Sequence, residues 1–469
     1  MFWQMLLAFG LSFLVTAFLA LLFARPGINL IVDRFVKRLL QDPYPENLAE
    51  MYNVFKKVGV QNVVEADLRA NDGEPLKRPF GSPIHFSDWD QLLFNPVYLS
   101  RRPIEESVSI DTSVTIGPLA KRPLEIDLPI MIGGMAYGFG PSLRAKLALA
   151  KGVDLVNTAT NTGVGPFLPE ERKYTKRLII QYNRGNWGKE EEVLRQADMI
   201  EVQLGYGALG PAPVVLDAED ISEEFREYMK LRPGTELKLD STLDGITTKR
   251  ALTGLVDYLK KVTNGVPVGV KIGATHYLEK ELDILVGAGV DFVTIDGAEG
   301  GINFGPAILA DDCGLPTLPA LCRAAAYFQK NRLDKKVSLI ISGGLFNPGQ
   351  FLKAIALGAD AVYIGTIAML VIAHLQVSKT IPWEPPTELV YERGKFKDEL
   401  DIEKGALNIA NYLKSCKEEM VLALRSMGRT SLAELTLKDL CALTPDISSM
   451  TRTELGLYAP MLASEGTND

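Results

Sequence analysis

The chain has 469 residues, 47% hydrophobic and 23% charged, enough to bury at least one large core. Its formal net charge of -8 argues against a nucleic-acid binder, which would carry a basic stripe. Four cysteines, Cys313, Cys322, Cys416 and Cys441, show neither C-x-x-C spacing nor a disulfide framework. They fit a reducing compartment and give no signal for a metal site.

Residues Met1 to Ala24 carry no charged side chain and are mostly Leu, Phe and Ala. An apolar run of this length can cross the roughly 30 Å hydrocarbon core once, as a transmembrane helix. Arg25, Arg34, Lys37 and Arg38 follow it, and nothing basic but the amino terminus precedes it. The positive-inside rule then predicts a single-pass protein of the cell membrane with its bulk in the cytoplasm. A cleaved signal peptide would want a cationic start and a shorter apolar core. Residues 25–125 read as an N-terminal cap or linker, with an amphipathic stretch near Pro45–Lys57 and turn-rich sequence beyond it.

From there, short apolar runs recur, each ending in Gly, Asn, Asp or Thr. They are PIMIGG (129–134), DLVNTAT (154–160), RLIIQ (177–181) and MIEVQLG (199–205). VPVGVKIG (266–273), VDFVTIDG (290–297), VSLIISGG (337–344) and AVYIGT (361–366) follow. Such β-branched, nearly continuous segments suit parallel strands buried on both faces. Helical patterns at 142–152, 249–262, 277–289 and 347–359 separate most of them. The alternation predicts an α/β fold, a (β/α)₈ TIM barrel over 126–375. Two intervals do not fit a plain barrel: Asn161–Lys176 is too short for an ordinary crossover helix, and Tyr206–Gly265 is too long. Residues 376–469 read as a C-terminal extension, a charged, proline-bearing wrapping segment (377–405) and then a long amphipathic helix (406–428).

The candidate chemistry collects at the strands' C-terminal ends, where barrel enzymes build their sites. Strands seven and eight end in Ser342-Gly343-Gly344 and Gly365-Thr366, turns whose bare backbone N–H groups can face a phosphate. Lys271, flanked by Gly269 and Gly273, points into an apolar barrel mouth and needs an anionic partner. The pyrimidine edge of a reduced flavin is one such partner; a carboxylate of the protein, Asp296, is the other. Strand six runs into IDGAEGGINFGP (295–306) and strand one into GGMAYGFG (133–140), loops suited to lie against a planar ring. NTGVGPFLPEE (161–171) is a stiff, glycine-punctuated loop leaving the same end of the barrel.

From roughly Phe86 to Leu443 the chain resembles the FMN-binding synthase domain of glutamate synthase and its stand-alone relatives. The resemblance rests on IGPLAKRPLEIDLPIMIGGMAYG, NTATNTGVGPFLPEE, IEVQLGYGALGP, VPVGVKIG, IDGAEGG, ISGGLFNPGQFLKAIALGADAVYIGTIAM and LKSCKEEMVLALRSMGRTSLAEL, in that order. It implies an FMN cofactor, with flavin contacts at Met135, Ala136, Asn161, Gln181, Lys271, Gly300 and Gly301. Phosphate contacts are implied at Gly343, Gly344, Gly365 and Thr366. The family's loop usually carries an acid where this chain has Val164, and a lysine where it has Leu209. Gln203 stands where a second basic residue is common, and Ala136 replaces a serine. Cysteines that would hold an iron–sulfur cluster after strand eight are missing, so none is predicted.

These readings predict a membrane-anchored FMN-dependent oxidoreductase, passing hydride between flavin and an imine or amino-acid-type substrate. Lys271 would stabilise reduced flavin, and Gln203 and Tyr137 are candidates for substrate contact. Expected partners are a small-molecule substrate, an electron donor and the membrane, with no nucleic acid; a homo-oligomer is compatible. A flavin-binding but catalytically silent subunit of a membrane complex is the main alternative, favoured by Val164 and Leu209. An FMN barrel acting on hydroxy acids is a third. That chemistry wants a histidine base, and of His85, His276 and His374 only His276 lies near a strand end.

Overall fold

The computed structural model describes residues 1–43, 47, 56, 59–72, 78, 81–301, 305–376 and 386–457. It divides into two units, Met1–Leu76 and Lys77–Asp469. In the first, a 40-residue helix spans Phe2–Gln41 with Pro26 inside it and no buried residue. It is long and apolar enough, by length and composition, to cross a membrane. The helix does not stop at Ala24, where the apolar run ends. Charged side chains end an apolar stripe without interrupting the backbone hydrogen bonds, so the ladder continues through Arg34, Lys37 and Arg38. A second helix covers Val60–Asp72. Apart from Asn47 and Lys56, the amphipathic stretch near Pro45–Lys57 lies outside the described residues, as does 377–385 of the expected wrapping segment.

In the second unit β1 (Leu92–Phe94), β2 (Val114–Ile116) and β3 (Leu124–Ile126) precede the barrel. The barrel itself begins with β4 (Ile130–Ile132), β5 (Thr160–Asn161), β6 (Leu178–Tyr182) and β7 (Met199–Gln203). After an insertion bearing β8 (Val214–Leu216) and β9 (Leu237–Leu239) come β10 (Val268–Gly273), β11 (Phe292–Asp296), β12 (Ser338–Ser342) and β13 (Ala361–Ile364). The strands β14 (Leu440–Ala442) and β15 (Glu454–Leu455) follow it. Eight strands pair in the order β4-β13-β12-β11-β10-β7-β6-β5, every ladder parallel. The ring closes where the Ile132 N–H donates to the Ala159 carbonyl at 2.9 Å. This is the parallel eight-stranded barrel that the apolar runs predicted.

One strand is much shorter than expected. Of DLVNTAT only Thr160 enters a ladder, followed by Asn161. Asp154 closes the preceding helix, Leu143–Asp154, and Asn157 turns the chain with φ 55°. The crossover helices match their patterns: Leu143–Asp154, Lys249–Val262, Leu278–Gly287 and Pro348–Ala356. Three start on side-chain caps, with Ser142, Thr248 and Asn347 accepting from Ala145, Ala251 and Gln350 N–H groups.

The two irregular intervals acquire structure of their own. Asn161–Lys176 holds a six-residue helix, Pro169–Tyr174. Tyr206–Gly265 holds the antiparallel hairpin β8–β9 and a helix, Glu223–Met229, before the crossover helix. At the opposite end the antiparallel hairpin β2–β3 plugs the barrel floor. Its Ile116, Leu124 and Ile126 pack with the inward-facing Met131, Ile179, Met199, Phe292 and Ile340. Beyond the barrel, helix Ile402–Ser426 starts on Asp401 and crosses helix Leu143–Asp154 where Gly405 meets Ala148. Strand β14 pairs antiparallel with β1 and parallel with β15, tying the chain after the barrel to the chain before it.

Candidate active site

Above the apolar floor the barrel interior turns polar. Asn161, Gln181, Glu201 and Thr294, from β5, β6, β7 and β11, are all buried. The Glu201 carboxylate accepts from Asn161 Nδ2 at 2.9 Å, Gln181 Nε2 at 2.8 Å and Thr294 Oγ1 at 2.8 Å. Three donors offset the cost of burying that group without a cation. Burial, and next the Glu201 charge, hold the Tyr363 phenol well above its ordinary value. Tyr363 is therefore a neutral donor or acceptor beside this network.

Over this layer opens a cleft at the strands' C-terminal ends. Glycine turns shape one side. Gly343 and Gly344 have φ 113° and 61°, in the region that side chains avoid. A Cβ on Gly343 would meet Thr317 Oγ1 at 2.6 Å, and one on Gly344 would meet Glu299 Cβ at 2.6 Å. Gly365 caps the helix Thr366–Ile372 beside them. On the β4 side, a Cβ on Gly134 would meet Gln181 Nε2 at 2.8 Å and Asn161 Oδ1 at 3.2 Å. Those two amides thus lie directly beneath the Gly133-Gly134-Met135-Ala136 turn.

Lys271, 4% exposed, lines the cleft from β10. Its Nζ is 3.3 Å from Asp296 Oδ2, and 5.7 Å and 6.0 Å from the ring centres of Tyr206 and Tyr363. Asp296 Oδ2 also accepts from the Gly207 N–H at 3.1 Å, whereas Oδ1 has no hydrogen-bond partner among the described residues. Glu299, another lining carboxylate, accepts from the Thr317 N–H at 2.7 Å and its hydroxyl at 2.6 Å, and from Ser87.

The NTGVGPFLPEE loop is one wall of this site. Asn161 Oδ1 accepts from the Gly163 N–H at 2.9 Å, and Gly163 has φ 65°. A Cβ there would come within 2.6 Å of the Ala136 nitrogen, so the loop presses backbone to backbone under the β4 turn. Val164 faces the cleft, its carbonyl held by Trp187 Nε1 at 2.7 Å. Behind it, the buried Lys146 lies 2.8 Å from Glu171 Oε1 and donates to the Asn161 carbonyl at 2.8 Å. Burial pushes the Glu171 carboxyl up against the pull of Lys146.

Met135, Ala136, Lys271, Gly300, Gly301, Gly343, Gly344, Gly365 and Thr366 line the cleft. Asn161 and Gln181 sit one layer below. Gln203 and Tyr137 are fully buried and do not line it. Gln203 Oε1 accepts from Arg184 Nε at 3.1 Å while its Nε2 has no partner among the described residues. The Tyr137 ring stands edge-on to Phe225 and Tyr228, 5.2 Å and 5.5 Å away. Burial first, then Glu392 and Glu224, raise its phenol above the ordinary value. All three histidines are exposed and none lines the cleft. Among the described residues no group of three His, Cys, Asp or Glu could hold a metal.

Sequence reasoning did not single out Glu201, Tyr363, Arg184, Tyr206 or Glu299. An acid inside the apolar run MIEVQLG was the available signal for Glu201. A tyrosine within AVYIGT was the one for Tyr363. Arg184, buried and donating to the carbonyls of Pro211 at 2.7 Å and Ser241 at 3.0 Å, pins the insertion after β7. Its sequence context carries no such hint.

Residues 100–430 match the family model described as the conserved region in glutamate synthase. The glutamate synthase large subunit-like protein of Rhizobium meliloti (strain 1021) is 32% identical over 389 residues, 78% of this chain and 87% of that protein. The archaeal-type glutamate synthase (NADPH) of Thermotoga neapolitana is 30% identical over 313 residues, 66% of this chain; the chain spans 62% of that relative's length. Among solved structures, a mutant flavocytochrome b2 with pyruvate bound aligns with a TM-score of 0.48 at 15% identity, covering 81% of this chain and 82% of that one.

Proposed function

The chain belongs to the family defined by the conserved region of glutamate synthase, and from that premise we propose that it is an FMN-dependent oxidoreductase. In this reading FMN lies in the cleft at the C-terminal ends of the barrel strands. Hydride passes between the flavin and an imine or amino-acid-type substrate, and an electron donor completes the cycle. The carrying observation is the pairing of two bare glycine turns, at Gly343-Gly344 and Gly365-Thr366, with the buried cation Lys271 in one cleft.

The residues present fit such a group. Gly343 and Gly344 line the cleft with φ 113° and 61°, backbone that side chains avoid, so the chain there would offer bare N–H groups to a phosphate. Met135 and Ala136 supply a surface for a ring, with Gly300 and Gly301 also lining the cleft. When bound, the flavin supplies the two-electron chemistry; the protein positions and polarises it. Lys271 would place positive charge where the reduced ring gains negative charge. Helix Phe2–Gln41 would anchor the chain in the cell membrane, with the barrel on the cytoplasmic side.

A second reading, a flavin-binding subunit without turnover, draws on the apolar character of Val164 and Leu209. Both are buried in one apolar cluster with Ala136, Tyr137, Phe139 and Tyr206. The test is the visible spectrum of the purified protein, followed by titration of its reduced form with 2-oxoglutarate plus an amine. Flavin bands with reoxidation support the enzyme; bands without reoxidation by any imine-forming pair support the silent subunit. A spectrum without stoichiometric flavin refutes both.

A further inference from the structure

Glu201 is fully buried, and both its oxygens are used as acceptors: Oε1 takes the Asn161 Nδ2 and Gln181 Nε2 groups, Oε2 the Thr294 hydroxyl. A glutamine would make the same three bonds. Its carbonyl would accept from both amides, and its Nε2 would donate to Thr294, whose hydroxyl rotates from donor to acceptor. Hydrogen bonding therefore explains an oxygen at this position and not a charge. The charge is costly, since taking an ionised carboxylate out of water without a paired cation is among the larger penalties in folding. Lys271 does not relieve it, being paired with Asp296 at 3.3 Å.

The charge sits where a cofactor in the cleft would feel it. Glu201 faces Gly269 across the β7–β10 ladder, one inward position below the Lys271–Gln203 pair. Its partners Asn161 and Gln181 lie against Gly134, which lines the cleft. Tyr363, another lining residue, already registers it: burial first, and the Glu201 charge next, hold that phenol above its ordinary value. Lys271 and Asp296 offset each other, so Glu201 leaves an excess of negative charge beneath the cleft. We propose that Glu201 tunes the cofactor through space: its buried charge holds the two-electron potential of the bound flavin low. Reduction by two electrons with uptake of one proton leaves the ring one unit more negative, and a fixed negative charge in a poorly screening interior opposes that step. The proposal rests on the oxidoreductase reading above. It assigns a control opposite in sign to that of Lys271, at a residue that does not itself line the cleft.

The test is a redox titration of the full-length protein, purified in detergent with its bound cofactor and followed through the flavin bands against reference dyes. Thermal melts of the same samples report on stability, and neither measurement needs turnover. Glu201→Gln keeps the hydrogen bonds and removes the charge. It should leave the melting temperature unchanged or raised, and shift the two-electron equilibrium at least 10-fold toward the reduced form, about 30 mV upward. Glu201→Asp keeps the charge and shortens the arm, so the three donors lose their geometry. It should melt lower yet hold that equilibrium within about 2-fold of wild type, and it remains informative where the Gln variant misfolds. A carboxylate that serves only as a hydrogen-bond hub behaves otherwise: a potential unmoved in Glu201→Gln, or one that shifts with stability in Glu201→Asp, overturns the inference. With flavin bands present, that result leaves the oxidoreductase reading standing. A wild type without flavin bands removes that reading, and the inference with it.

Discussion

Replacing Lys271 by Met separates its two contacts, the observed one with Asp296 and the proposed one with flavin. Lys271 and Asp296 are 4% and 3% exposed and 3.3 Å apart. Removing one member of such a pair strands the other as a buried, uncompensated charge, which costs about 3–5 kcal/mol. At roughly 2 °C per kcal/mol for a large folding unit, the melting temperature should fall by about 6–10 °C. Lys271→Met/Asp296→Asn removes both charges and should recover most of that loss, because the amide needs no counter-charge. The cofactor contact has its own readout. A unit charge about 4 Å away in a medium of effective dielectric near 20 is worth about 4 kcal/mol. Asp296 offsets much of this, so about 1–2 kcal/mol should remain, which is roughly 20–40 mV for a two-electron couple. Differential scanning calorimetry and redox titration of wild type and both variants test the two parts. A single variant as stable as wild type, or a double variant no more stable than the single, refutes the buried-pair reasoning. An unmoved flavin potential refutes the cofactor role and leaves the pair standing.

Asp360 gives a pH prediction. Burial, against the Leu339 N–H that it accepts, pushes its carboxyl up to about 6. The folded state then holds the proton more tightly than the unfolded chain, so this stabilisation is complete below about pH 4 and disappears as pH rises through about 6. Urea midpoints from pH 4 to 7 should show that component, roughly 1–3 kcal/mol, in wild type and not in Asp360→Asn. Gly163→Ala should cost roughly 2–4 kcal/mol, since φ 65° and a 2.6 Å approach to the Ala136 backbone both oppose a Cβ; thermal melts would read it. A variant melting with wild type would remove the loop from the site's architecture. Deleting residues 1–41, the whole N-terminal helix, should move the protein from the membrane to the soluble fraction with its flavin retained; continued sedimentation with membranes in high salt contradicts the anchor. Elemental analysis should find no stoichiometric iron, and one or more tightly bound atoms per chain would contradict the reading of its cysteines.

Much of the barrel was legible because a parallel strand buried on both faces has little freedom of composition. The runs at 199–205, 266–273 and 337–344 had to be apolar and β-branched, and their glycine endings marked where the chain turns over the cleft. Lys271 stood out for the same reason: a cation in such a run needs an anion somewhere. Local pattern could not say which anion. Asp296 meets Lys271 because the parallel register sets β10 and β11 side by side, a pairing between residues 25 positions apart in the sequence. The loop Asn161–Glu171 announced its stiffness through glycine and proline. Only packing revealed its clamp, since Lys146 reaches Glu171 from a separate helix and Gly163 abuts a turn from another strand. Glu201 depends most fully on tertiary structure. An acid in a strand is uninterpretable until three neighbouring strands bring Asn161, Gln181 and Thr294 within hydrogen-bonding distance. Sequence thus dictated where apolar surface and backbone freedom lie, because those are local properties of each residue. The tertiary structure decided which polar groups are paired and which face the cleft, because burial and charge compensation exist only between elements.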